Sequence, residues 1–149
     1  NSFKKSVEVD KILQLEKEKE ISTKKTMMNF AKKVHENKEN LTNLLQNLKL
    51  QNKTIVGISA PARSSTILNF CDIDSSLLDF ICEKSDLKIN KFTPGSHIPI
   101  KSDQELIETQ PDYALLLSWH LAESIIPKIK NDGFKGQFIV PLPEVKILK

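Results

Sequence analysis

Lys53-Thr-Ile-Val-Gly-Ile58 runs directly into Ser59-Ala-Pro-Ala62 and then Arg63-Ser-Ser-Thr-Ile-Leu-Asn-Phe70. The first piece reads as a strand buried on both faces. The second is turn chemistry, and Ile67, Leu68 and Phe70 of the third have helical spacing. Downstream, Leu77-Leu-Asp-Phe-Ile-Cys82, Tyr113-Ala-Leu-Leu-Leu117 and Gly136-Gln-Phe-Ile-Val140 read as three more strands. The stretch from Trp119 to Lys130 is helical, with Pro127 kinking it or marking its first turn. Residues 91–100 read as extended and turn-rich, and 103–108 as one helical turn. Short apolar strands alternating with helices predict an α/β domain over 53–149, its parallel strands near 54–58, 77–82, 113–117 and 136–140.

Upstream the character differs. The first fifty residues hold neither Pro nor Gly. Val9, Ile12, Leu13 and Glu16 fit a short helix ending near Ile21, and Ser22 or Thr23 can cap the next. Met27, Phe30, Val34, Asn37, Leu41, Leu44 and Leu48 then follow steps of three and four, predicting one long amphipathic helix from about 23 to 49. Its apolar members are expected to be buried together. Two readings stay open: a helix packed on its own domain, or a coiled-coil seam with Asn37 as its polar position. Residues 1–52 are accordingly read as an N-terminal helical section packed on the same domain.

A chain of 149 residues, 39% apolar and 28% charged, suits one domain with a real core. No apolar run approaches the roughly 20 residues of a membrane span. Phe3-Lys4-Lys5-Ser6 leads into charge rather than an apolar leader, while Asn1 at the start suggests a piece of something longer. Cys71 and Cys82 sit in apolar runs, as reduced core cysteines of a cytoplasmic protein would. Two cysteines make neither a disulfide framework nor a four-thiolate zinc site. A net charge of +3, with the lysines of the first part interleaved with glutamates, predicts a solvated helix face and no nucleic-acid partner.

Of the 22 basic residues one is arginine, Arg63, and it falls just after the first strand. Ligands of open parallel sheets bind beyond the carboxyl ends of the strands. A guanidinium beside Ser64, Ser65 and Thr66, in a first turn with free amides, suits a phosphate or diphosphate. The alternative is an exposed helix residue with Ser64 or Ser65 as cap. A dinucleotide fingerprint would need Gly at 57, 59 and 62, and only Gly57 matches. Gly57-Ile-Ser59-Ala-Pro61 fails as a nucleophile elbow, since Pro61 stands where the second Gly belongs. Glu83 ends the second strand, where an acid can accept from ribose hydroxyls or be a plain surface acid. His35 reads as solvent-facing. His97, Trp119 and His120 fall at ligand-side loops, where each is either a ligand contact or structural.

Three stretches together resemble the C-terminal domain of S-adenosylmethionine-dependent sugar C-methyltransferases, which methylate nucleotide-linked deoxysugars. Gly57-Ile-Ser-Ala-Pro-Ala-Arg-Ser-Ser-Thr-Ile-Leu-Asn-Phe-Cys71 is similar to that family's G-Y-G-A-P-A-K-G-N-T-L-L-N-Y-C. Phe92-Thr-Pro-Gly-Ser-His-Ile-Pro-Ile100 is similar to its Y-x-P-G-[ST]-H-I-P-I. Pro111-Asp-Tyr-Ala-Leu-Leu-Leu-Ser-Trp-His120 and Gly136-Gln-Phe-Ile-Val-Pro-Leu-Pro143 are similar to P-D-Y-x-L-x-L-x-W-N and G-G-x-F-I-V-P-[IL]-P.

The resemblance implies a Rossmann-like domain that helps hold the nucleotide-sugar, with the methyl donor on a separate preceding domain. It implies substrate-binding roles for Ala60, Pro61, Arg63, Thr66 and Asn69, for Pro94, Gly95, Ser96 and His97, and for Trp119 and His120. Glu83 joins them in place of the usual Asp. Ser59 and Ser64 replace two loop glycines, Ser65 replaces Asn, Arg63 replaces Lys and His120 replaces Asn, so the sugar or nucleotide is expected to differ from the usual one. The family's zinc segment, methyl-donor domain and H-G-G-S stretch all precede the region that this chain resembles. No catalytic residue, no metal site and no bound S-adenosylmethionine are therefore expected here. The alternative from another class is a non-catalytic nucleotide-binding interaction or regulatory module.

Overall fold

A computed structural model describes residues 5–149. Residues 1–4, and with them Asn1 and half of the Phe3–Ser6 stretch read against a leader, lie outside the described part. Two helices come first, α1 (Val7–Glu18) and α2 (Lys24–Leu50). Ser6 caps α1, its Oγ accepting from the Val9 amide at 3.4 Å. Thr23 caps α2 by accepting from the Thr26 amide at 3.3 Å. The chain divides into two compact units, one ending at Glu36 and the other comprising Asn37–Lys149, so the division falls inside α2.

The second unit carries β1 (Ile55–Ile58), α3 (Ser64–Phe70), β2 (Ile81–Glu83), β3 (Ile100–Ser102), α4 (Gln104–Thr109) and β4 (Tyr113–Leu116). A 3-10 turn, Trp119–Leu121, leads into α5 (Ala122–Asn131), with β5 (Gln137–Val140) and β6 (Lys146–Leu148) last. The six strands form one sheet in the order β3-β2-β1-β4-β5-β6. All pairs are parallel except β5 with β6. The direction of winding reverses between β1 and β4, which sets the ends of those two strands beside the crevice where such sheets bind ligands.

Both faces of the sheet are covered, hence the unbroken apolar runs. Ile55, Leu115 and Leu117 pack with Leu41, Leu45 and Leu48 of α2 and Ile67 and Leu68 of α3. Val56, Ile58, Ala114 and Leu116 pack on the other face with Leu106 of α4 and, around them, Ile125, Ile126 and Ile129 of α5. Leu41 and Leu45 are completely buried, each burial contributing about 1.5–3 kcal/mol. Gly57 lies inside β1 rather than in the loop after it. A Cβ there would stand 2.8 Å from Cγ1 of Ile81 and 3.1 Å from Cδ1 of Leu117, so glycine serves close packing here.

Several expectations need correction. The long stripe is buried only toward its end: Leu41 and Leu48 are core, Leu44 is half-buried, and Met27 and Phe30 are 50% and 65% exposed. Only the part of α2 from Asn37 onward belongs to the unit that carries the sheet, and Leu41, Leu45 and Leu48 lie in that part. Leu45, outside the predicted stripe, belongs to the core instead. Asn37, the polar position of the stripe, donates through Nδ2 to the Pro141 carbonyl at 2.9 Å. The second strand starts at Ile81, not 77. Asp79 interrupts the apolar run, its carboxylate accepting from the Ile55 amide at 2.9 Å and from Lys49 at 2.7 Å. Strands β3 and β6 were not expected, since Ile100-Lys-Ser102 and Lys146-Ile-Leu148 are too short and too polar to stand out. Pro127 falls within α5. Cys71 and Cys82 are free and buried, and burial pushes the Cys82 thiol up to about 12.

Candidate functional site

The residues singled out by sequence fall at the carboxyl ends of β1, β2 and β4 and in the loop before β3, in separate groups. The first lies between β1 and β4. Nη1 of Arg63 approaches Nδ1 of His120 at 3.4 Å. Arginine offers only donors, so a hydrogen bond here needs Nδ1 as the acceptor, the tautomer that carries its proton on Nε2. Trp119 meets His120 edge to face, with centroids 6.1 Å apart, and packs partly against the core. Parallel pairing of β1 with β4 brings 63 next to 120, since Ile58 is in register with Leu116.

The first turn of α3 does not offer the free amides expected of it. Ser64, Ser65 and Thr66 donate their amides to the carbonyls of Pro61, Ala62 and Arg63 at 2.8, 3.3 and 3.2 Å. Ser64 is buried and its Oγ also donates to the Pro61 carbonyl, at 2.7 Å. Arg63 precedes this seven-residue helix as its N-cap residue and makes no side-chain capping bond. Thr66, in the same turn, is exposed.

The second group is built on Glu83. Its Oε2 accepts from the Ala60 amide at 2.9 Å and from Nζ of Lys88 at 3.2 Å, while its Oε1 accepts from the amides of Lys84 and Ser85 at 2.8 and 3.2 Å. Lys88 closes the ring by donating to the Ala60 carbonyl at 2.9 Å. Burial alone would raise the Glu83 pKa, but these hydrogen bonds outweigh it and hold the carboxyl below its ordinary value. Ser59, just before Ala60, has φ 68°, a left-handed conformation that favours glycine, and its amide donates to the Cys82 carbonyl at 2.8 Å. The carboxylate that meets ribose hydroxyls in dinucleotide folds thus has four partners within the chain. These residues do not fit a methyl donor bound in that way.

The third group joins α3 to the loop before β3. Nδ2 of Asn69 donates to the carbonyls of Ser65 and Pro94 at 2.7 and 3.1 Å. Gly95, at φ 80°, lies so close that a Cβ would collide with Oδ1 of Asn69. Ser96 is buried and hydroxyl-bonded to Thr93 at 2.7 Å, so it shapes the loop from inside. His97, at φ 52°, is exposed and stacks on Phe92 with centroids 4.4 Å apart.

Sequence reasoning missed Lys88, whose only signal was a lysine five residues beyond Glu83. It also missed a cleft of ≈ 450 Å³ beyond the ends of β1 and β2, on the α4 and α5 side. No group of three or more His, Cys, Asp or Glu side chains among the described residues is placed to hold a metal ion. Nor, among those residues, is any helix long and apolar enough to cross a membrane.

The profile of a family described as "C-methyltransferase C-terminal domain" matches residues 1–143. The chain belongs to this family. It is also similar to "C-methyltransferase NovU" of Streptomyces niveus, 34% identical over 122 residues. That match covers 80% of this chain and 29% of the relative, so the chain spans well under half the length of the curated relative it matches.

Proposed function

We propose that this C-methyltransferase C-terminal domain holds a nucleotide-linked sugar and presents it to an S-adenosylmethionine-binding domain of the same protein. The observation that carries the reading is the approach of Arg63 to His120 at the switch point, beside Trp119. A guanidinium fork binds a diphosphate with two parallel hydrogen bonds. The imidazole Nε2–H is a second donor for a phosphate or sugar oxygen, and an indole face suits a sugar ring. The loop carrying Ala60 and Pro61 is held by the Glu83–Lys88 clamp, which makes Glu83 a positioning residue. Asn69 does the same for the loop carrying Pro94, Gly95 and His97.

The methyl group belongs to the cofactor of the larger enzyme, and no step of its transfer is assigned to this chain. The test is titration calorimetry of thymidine- and uridine-diphosphate sugars against the 149-residue chain and its Arg63→Ala form. Binding by the wild type that is weakened at least about tenfold in the variant supports the reading. Equal affinities, or no binding by either protein, favour a non-catalytic interaction module instead.

A further inference from the structure

The cleft on the α4 and α5 side of the sheet has no part in the site built on Arg63. We infer that it is a nucleobase subsite, receiving the flat heterocycle of the same nucleotide-linked ligand. The inference rests on the functional reading above.

Its apolar lining comes from Ile58 at the end of β1, Leu106 and Ile107 of α4, and Ile125 and Ile129 of α5. Aliphatic side chains of α4 and α5 line it together, and its volume of ≈ 450 Å³ falls in the range of small-ligand pockets. Five charged residues lie on the lining, and most are already neutralised. Lys84 pairs with Asp103 at 3.5 Å, and Glu83 is saturated by its clamp. Lys128 and Asp132 remain, one of each sign and four residues apart on α5, with no side-chain ion pair or hydrogen bond among the described residues.

This composition selects a chemical class. A phosphate finds no net positive charge in the slot, whereas Arg63 supplies one outside it. An acyl chain gains nothing from a rim of opposite charges. An uncharged ring with donors and acceptors on its edge satisfies both walls and rim, since Lys128 donates and Asp132 accepts. Reach agrees as well. Asp103 follows β3 and His120 follows β4, three strand spacings apart, about 14 Å. Ser59 lines the slot and stands four residues before Arg63. A nucleotide-linked sugar laid along the carboxyl edge therefore has its base at α4 and α5 and its diphosphate at Arg63.

The experiment separates the slot from the phosphate site by using ligands without phosphate. Thymidine, uridine and adenosine are titrated into the isotope-labelled 149-residue chain to about 10 mM, following backbone amide shifts. Shifts concentrated at Ile58, Leu106 and Ile125 are expected. They should disappear in Ser124→Trp, which fills the slot from an exposed position, and in Ile107→Phe from the opposite wall. Both variants are checked for an unchanged thermal midpoint, and each should weaken the diphosphate sugars at least tenfold. If nucleosides leave the slot unshifted while diphosphate sugars bind in an Arg63-dependent manner, the subsite is overturned and the functional reading survives. If neither nucleosides nor diphosphate sugars bind, both fall.

Discussion

Nη1 of Arg63 lies 3.4 Å from Nδ1 of His120, across 57 residues of sequence. The contact joins the only arginine of the chain to the turn after β4. Two consequences follow for a ligand. The imidazole limits the conformations open to the guanidinium, reducing the entropy lost on binding. Accepting from Arg63 through Nδ1 would also leave the imidazole its Nε2–H as a donor. Arg63→Ala should therefore weaken nucleotide-sugar binding by about 1.5–3 kcal/mol, as expected for hydrogen bonds to a charged group. Arg63→Lys should cost less, because charge is kept and only the fork is lost. The residue is exposed, so unfolding free energy should move by no more than about 0.5 kcal/mol in either variant. Calorimetry and urea denaturation check the two statements separately. Affinities within twofold of wild type would show Arg63 to be a surface residue.

Gly95 carries a different prediction. Its φ of 80° is left-handed, and the space a Cβ would need is filled by the Asn69 amide. Gly95→Ala then meets a backbone cost of about 1–2 kcal/mol and also displaces the Asn69 bond to Pro94. A loss of about 2 kcal/mol or more in urea unfolding is expected, with weaker nucleotide-sugar binding because the loop carrying His97 shifts. A loss below about 0.5 kcal/mol would mean that the loop does not depend on this interlock.

Four strands and the long helix were legible because burial on two faces leaves a continuous apolar signature, as at Tyr113-Ala-Leu-Leu-Leu117. Strand β6 was not, because Lys146, Ile147 and Leu148 are all exposed at an edge and no alternation marks them. The second strand was misplaced because Leu77, Leu78 and Phe80 are buried without being strand, and hydropathy registers burial rather than conformation. At the site, position was readable and partnership was not. Arg63 and His120 could each be placed at a strand end, but only the β1–β4 register joins them. The spending of Glu83 on Ala60 and Lys88 leaves no trace in a single sequence. The partner of Asn37 was hidden for the same reason, since it is the carbonyl of a proline 104 residues away.

Acid should weaken the fold through two carboxylates. Asp112 accepts from the Thr54 amide at 2.9 Å and from Lys53 at 3.0 Å, which, with the Thr54 hydroxyl, holds its pKa below the ordinary 3.8. Glu83 is likewise held below 4.5. A folded-state pKa below the unfolded one contributes stability that is complete above the unfolded value and disappears as pH falls through the folded one. Unfolding free energy should thus be insensitive to these groups at neutral pH and decline below about pH 4.5. In Asp112→Asn the acid slope should be shallower, at a lower neutral-pH stability. An unaltered slope in urea titrations at several pH values would rule Asp112 out as a contributor.

The last prediction concerns the methyl donor. Donor-binding sheets present a glycine-rich turn after the first strand and a free acid after the second, one for the tail of the ligand and one for its ribose. Here Ser59 occupies the turn, and the acid is committed to Ala60, Lys84, Ser85 and Lys88. Freeing the carboxylate would unfasten the very loop that carries Arg63. A nucleobase slot alone offers only apolar contact and two rim charges, which sustains affinity near about 1 mM, or about −4 kcal/mol. S-adenosylmethionine should accordingly show no micromolar binding to the chain in calorimetry, under conditions where a diphosphate sugar binds measurably. Lys88→Met should not create donor binding, because the turn after β1 would still lack its glycines. It should instead weaken the diphosphate sugar as the loop loosens, and Lys88→Arg should restore part of that loss. Micromolar binding of S-adenosylmethionine to the wild type would overturn the assignment of donor and acceptor to different domains.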